Sequence, residues 1–125
     1  MMQPRSSQIC PRYQAAMEVL GKRWTGLILN VLMDGPRRFS EIATRLEVVS
    51  DRVLAERLRE LKAQDIVRHA PVRGQPGRFD YRLTPKGKAL RTVVGSIERW
   101  ASEWVTLSPG LLSARAAPRR RRESR

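Results

Sequence analysis

The stretch from Phe39 to Leu83 constrains this chain most, because its hydrophobic spacing changes from helical to alternating within one short span. Ile42, Ala43 and Leu46 share one face of a brief helix, for which Ser40 is the expected N-cap, and Phe39 just before it can start a short extended segment. Glu47 to Val49 then make a turn. Ser50 is a second N-cap position, and Asp51 complements the positive end of a longer helix that runs to about Gln64. Leu54, Leu58 and Leu61 fall on one side of that helix. At about 100° per residue, Arg52, Glu56 and Arg59 fall on the other, with Arg57 and Lys62 at the rims. Two strand-like segments follow, Ile66 to Val72 and Arg78 to Leu83, with Arg68, Arg73, Arg78 and Arg82 among them and Gly74-Gln75-Pro76-Gly77 as the loop between.

The flanking segments are helical. Gln14 to Leu20 offers Ala16, Met17 and Leu20 to one face and ends at Gly21. Trp24, Leu27, Ile28, Val31 and Leu32 follow the i, i+3, i+4, i+7, i+8 pattern of a core-facing helix that stops at Asp34-Gly35-Pro36. Thr84 before Pro85 is an N-cap followed by an N1 proline. It opens one long helix through Trp104 that carries Leu90, Val93, Val94, Ile97, Trp100, Ala101 and Trp104. The expected fold is therefore mainly α with a small β-wing, a winged helix-turn-helix. Residues 1–12 read as an N-terminal arm, 13–107 as the domain with a C-terminal dimerisation helix, and 108–125 as a basic, disordered tail.

A formal net charge of +13 on 125 residues suits a polyanion partner, since a cationic surface releases condensed counterions from nucleic acid. Ser113 to Arg125 holds six arginines against Glu123, so the tail carries +5 and the rest of the chain +8. No apolar run approaches the roughly 18 residues that span a bilayer, and Met1 to Ser7 has no apolar leader core, so the expected place is the cytoplasm, in association with the nucleoid. Cys10 is the only cysteine, which excludes a disulfide within the chain and a multi-cysteine metal site. His69 has no partner histidine, and neither a glycine-rich phosphate loop nor a paired-carboxylate motif occurs. We therefore expect no enzyme, metal or cofactor.

Several motifs converge on one family. Cys10-Pro11, Val19-Leu20-Gly21-Lys22-Arg23-Trp24, Gly35-Pro36-Arg37-Arg38-Phe39-Ser40-Glu41-Ile42, Ser50-Asp51-Arg52-Val53-Leu54, Arg57-Leu58-Arg59-Glu60-Leu61 and Tyr81-Arg82-Leu83-Thr84-Pro85-Lys86-Gly87 together resemble the HxlR-type winged helix-turn-helix transcriptional regulators of bacteria, relatives of the MarR group. The chain departs from the family pattern at Gly21-Lys22-Arg23-Trp24, where a second glycine usually stands before the lysine and tryptophan, and at Asp65, where glycine is common. The resemblance implies a homodimeric repressor or activator, joined through its N- and C-terminal helices, on an inverted-repeat operator. It also implies a sensor of electrophiles or oxidants at Cys10, the family's cysteine position.

Each site has two readings. Arg52, Glu56 and Arg59, with Ser50 at the start of their helix, either meet base edges and phosphates in a major groove or form a solvated face. Arg73, Gln75 and Arg78 either reach an adjacent groove or solubilise a hairpin. Arg37, Arg38, Ser40 and Arg45 are positioned for phosphate contacts. Val93, Val94, Ile97, Trp100 and Trp104 form an apolar stripe for a dimer seam or a ligand pocket. Cys10 is either a redox-responsive thiol, oxidised to a disulfide with another molecule or to a sulfenic acid, or a small packed residue. Arg119 to Arg122 are either a flexible phosphate-binding extension, which would add affinity without specificity, or a solvated, disordered end. The alternative function is a small basic RNA-associated protein, disfavoured because Trp24, Phe39, Phe79 and Tyr81 read as core or strand residues, not exposed stacking platforms.

Overall fold

Six helices and one hairpin make up the computed structural model, which describes residues 9–108. Helix α1 spans Pro11–Leu20, three residues earlier than the apolar spacing suggested, because Pro11 at the first helical position needs no N–H partner. Its cap, Cys10, is extended, and its end at Gly21 donates back to the Met17 carbonyl at 2.8 Å. Trp24 takes a left-handed φ of 79° and redirects the chain into α2, Thr25–Met33.

Helix α2 is the hub, touched by α1, α3, α6 and the second strand, and buries Thr25, Ile28, Leu29, Val31 and Leu32. The sequence spacing placed Leu27 inside and left out Leu29. The structure buries Leu29 and leaves Leu27 exposed, since a helix wrapped by neighbours has more than one inward side.

Helix α3, Phe39–Arg45, starts two residues sooner than expected: Arg38 is its N-cap, not Ser40. Glu41 explains the shift, because its carboxylate accepts the Arg38 backbone N–H at 2.8 Å, satisfying a donor a hydroxyl cap would not reach. The expected extended segment lies at Arg37, whose backbone pairs with Tyr81 in both directions at 2.8 and 3.0 Å and so ties the α2–α3 connection to the wing. Helix α4, Asp51–Ala63, is capped as the sequence indicates, with Val53 N–H donating to Ser50 Oγ at 3.2 Å. Leu54, Leu58 and Leu61 are buried together with Ile42, Ala43, Leu46 and Val49, which joins the two helices in one core.

The wing pairs β1, Val67–Pro71, with β2, Phe79–Leu83, antiparallel, with Val67 opposite Leu83 and Pro71 opposite Phe79. Gly74 and Gly77 turn the tip at φ of 76° and 80°, a region side chains resist. Asp65, at φ 59°, makes the left-handed turn out of α4, a backbone conformation that glycine adopts more readily.

The expected single C-terminal helix is two: α5, Pro85–Lys88, and α6, Arg91–Trp104. Leu90 N–H bonds the Gly87 carbonyl, three residues back, so the chain tightens there while Leu90 packs on the core. Gly87 fixes this corner, since a Cβ on it would stand 2.2 Å from the Ile66 carbonyl oxygen. Thr84 Oγ1 accepts from Gly87 N–H at 3.0 Å and donates to the Asp65 carbonyl at 2.6 Å, binding the start of α5 to the end of α4.

Candidate nucleic-acid interface

Packing of the three leucines turns the opposite flank of α4 to solvent. Arg52 and Arg59 are exposed, and among the described residues neither has an ion pair or a side-chain hydrogen bond. Glu56 is partly exposed and lies 3.7 Å from Arg57 Nη1, so it is partly occupied within the protein. Ser50 spends its oxygen on the cap but keeps its hydroxyl hydrogen. Two free guanidinium groups at the two ends of one helical face can each grip a guanine edge or a phosphate.

Arg37, Ser40, Thr44 and Arg45 border one shallow hollow on α3 with Glu41. Arg45 is braced by Asp34 at 3.2 Å, and Arg38 lies 3.9 Å from Glu41. Both pairs are exposed, where such contacts are weak, so these cations remain available to a phosphate. On the wing, Arg73, Gln75 and Arg78 are exposed. Their backbone is fixed by Gln75 N–H to Val72 O at 3.1 Å, Arg78 N–H to Gln75 O at 3.0 Å and Val72 N–H to Arg78 O at 2.8 Å. Arg82 is different. Its Nε and Nη2 donate to the buried Asp80 carboxylate at 3.1 and 3.0 Å, which neutralises it in place.

One part of the surface differs from the sequence expectation. Phe79 is exposed at 47%, with His69 tilted against it and stacked on Tyr81 at 4.2 Å between ring centroids. The wing therefore does present an aromatic ring, because β2 begins beyond the core: on its core side Leu83 is buried and Tyr81 half-buried, and Phe79 is left uncovered.

Away from α4, Cys10 is exposed at the start of α1. Ile97, Trp100 and Trp104 are 61%, 61% and 68% exposed along α6, with Val93 beside them, whereas Val94 turns the other way and packs on the domain core. Tyr13 and Met17 are exposed on α1. Arg119 to Arg122 lie outside the described residues. Among the described residues no group of three His, Cys, Asp or Glu is arranged to hold a metal ion, and no helix is long and apolar enough to cross a membrane.

The sequence reading missed a polar clamp on the flank of α4, where Arg57 and Glu60 meet the α1–α2 connection through Lys22 and the Arg23 carbonyl. The i, i+3 spacing of Arg57 and Glu60 was visible, but their distant partner was not.

A family model described as HxlR-like helix-turn-helix matches residues 19–109. The chain is 46% identical over 99 residues to the HTH-type transcriptional regulator YvaP of Bacillus subtilis, covering 79% of this chain and 92% of that protein. It is 44% identical over 96 residues to the HTH-type transcriptional regulator YodB of the same organism, covering 77% and 86%. The solved reduced form of YodB superposes with a TM-score of 0.70 at 43% identity over 78% of this chain and 96% of that one. Its quinone-bound form gives 0.67 at 44% identity over 76% and 100%. The chain thus belongs to the HxlR-like helix-turn-helix family, whose members are DNA-binding transcriptional regulators and not enzymes.

Proposed function

We propose that this protein is a homodimeric regulator that reads an inverted-repeat operator with α4 and releases or grips it according to the state of Cys10. The observation that carries the DNA reading is the unpaired, exposed pair Arg52 and Arg59 on the face of α4 opposite its buried leucines. Arg52, Arg59 and Glu56 take base edges, while Arg38, Ser40, Arg45 and the Ser50 hydroxyl take phosphates and Arg73, Gln75 and Arg78 take the neighbouring groove. Family membership and a net charge of +13 support this assignment, and binding to the chromosome would place the protein in the bacterial cytoplasm.

The stripe of Ile97, Trp100 and Trp104, with Val93 at its edge, supports pairing of two copies through α6, and Tyr13 and Met17 are exposed apolar residues on α1. A two-fold pair places two α4 helices about 34 Å apart, one DNA turn, so any shift at the seam changes their spacing. Cys10 is the N-cap of α1 and is open to solvent. A quinone adding to its thiolate, or an oxidant joining it to a small thiol as a mixed disulfide, would put a new group at the start of α1, a helix that this reading sets in the dimer. Relatedness to YodB, which has been solved reduced and quinone-bound, supports this regulation.

Footprinting on DNA upstream of the protein's own and neighbouring genes tests the core of the reading, with a protected near-palindrome as the expected result. Random duplex bound equally well would refute it. Cys10→Ser should bind the same site and lose the response to quinone and diamide; a retained response would exclude the thiol as sensor.

A further inference from the structure

The flank of α4 between its reading face and its buried leucines carries a directional link to the α1–α2 connection. Lys22 Nζ donates to Glu60 Oε2 at 2.9 Å. Arg57 donates from Nε to the Arg23 carbonyl at 3.0 Å and from Nη1 to Glu60 at 3.3 Å, with Glu56 at 3.7 Å from the same nitrogen. The Arg57 side chain is only 18% exposed, unlike Arg52 and Arg59. The hydrogen bond from Lys22 holds the Glu60 carboxyl below its ordinary value, outweighing the desolvation that pushes it up, and the Arg57 charge adds to the lowering.

The connection that receives these bonds is itself held. Gly21 bonds back into α1, Trp24 has a left-handed backbone and packs on the core, and the Arg23 guanidinium lies 4.4 Å from the Trp24 ring centroid. The leucines of α4 decide which side faces inward, but apolar packing is non-directional and limits the roll of the helix about its own axis less sharply than directional contacts do. Hydrogen bonds on one flank set it closely.

We infer that Lys22, Arg57 and Glu60 are positioning residues that fix the roll of α4 and thereby the sequence discrimination of Arg52, Glu56 and Arg59. A roll of about 20° displaces an atom roughly 6 Å from the helix axis by about 2 Å. That is enough to break a bidentate contact to a base, which tolerates only a few tenths of an ångström. A phosphate contact survives it, because long flexible side chains follow a point charge. The clamp therefore governs preference among sequences, not attraction to DNA as such. This inference rests on the DNA-reading assignment of α4 and deepens it.

The test uses the full chain and the duplex it prefers, selected by the wild-type protein from a random-sequence duplex pool, against a random duplex of equal length. Glu60→Gln and, separately, Lys22→Met are compared with wild type by fluorescence anisotropy, with melting temperatures in parallel. Each variant should lose about tenfold in the ratio of selected to random affinity, whatever the shared effect of the changed charge on both duplexes. The double variant should lose no more than the larger single loss, because the two groups act through one link. A ratio within twofold of wild type in both variants overturns the inference. So does an equal loss on both duplexes, which a changed charge or a folding defect produces with no change of roll. A wild-type protein with no preference at all overturns the reading of α4 and the clamp with it, a result distinguishable because it appears before any substitution.

Discussion

Thr84→Val separates a hydrogen-bonded corner from mere packing. The side chain is 4% exposed and keeps its shape when the hydroxyl becomes a methyl. What is lost is the donation to the Asp65 carbonyl at 2.6 Å and the acceptance from Gly87 N–H at 3.0 Å. Gly87 is buried, so its orphaned donor costs about 2 kcal/mol, whereas Asp65 is exposed and water can reach its carbonyl, a cost of about 1 kcal/mol. The Ile66 carbonyl loses its longer contact with the same hydroxyl at 3.2 Å but keeps its bond from Thr84 N–H at 3.0 Å, and so adds little. The expected loss is about 3 kcal/mol, a large share of the ~5–15 kcal/mol that holds a domain together. Urea unfolding at one fixed protein concentration reads it as a midpoint lowered by about 2 M. Thr84→Ser is the control: it keeps both hydrogen bonds and removes one methyl, worth about 1 kcal/mol. A valine variant no less stable than the serine variant would refute the argument, because packing and not the hydroxyl would then hold α5 to the end of α4.

Three further outcomes follow from the same geometry. Arg52→Ala should cost about 1–3 kcal/mol of discrimination at one base pair of the operator and change random-duplex binding far less; a uniform loss measured by competitive gel shift would make Arg52 a phosphate contact. Asp65→Gly should raise stability by about 0.5–1 kcal/mol in thermal unfolding, because the φ of 59° strains a residue with a Cβ, and a lowered melting temperature would show that the aspartate itself supports the turn. The Glu60 carboxyl titrates below its ordinary value of 4.5, so the stability it contributes is complete above that pH and is lost as pH falls through the lowered value. Glu60→Gln should then flatten the acid side of the stability profile, and an unchanged profile down to full protonation would exclude the contribution.

The local pattern of side chains was enough to read much of the fold. Ser50 caps α4, Leu54, Leu58 and Leu61 are buried, and the glycine-proline loop turns a hairpin, all as the spacing required. These features are legible because a cap, a helical period and a turn each depend on residues a few positions apart. The exposure of Arg52 and Arg59 followed from the same period. Where the reading slipped, distant neighbours were responsible. Leu29 took the place of Leu27 because α2 is enclosed on several sides, and the C-terminal helix broke at Leu90 because Gly87 had to slip under the Ile66 carbonyl.

Charge shows the division most clearly. The sequence alone determined that this chain is strongly basic and that arginines line one side of α4, since both follow from composition and period. It gave no means of telling a free arginine from an occupied one. Arg57 meets the Arg23 carbonyl 34 positions away, Lys22 meets Glu60 across 38, and Asn30 meets Glu98 across 68. Only the folded chain sets those distances. Hydrogen bonds and close ion pairs form only within a few ångströms, so it was the tertiary structure that decided which cations are held by the protein and which are left exposed without a partner.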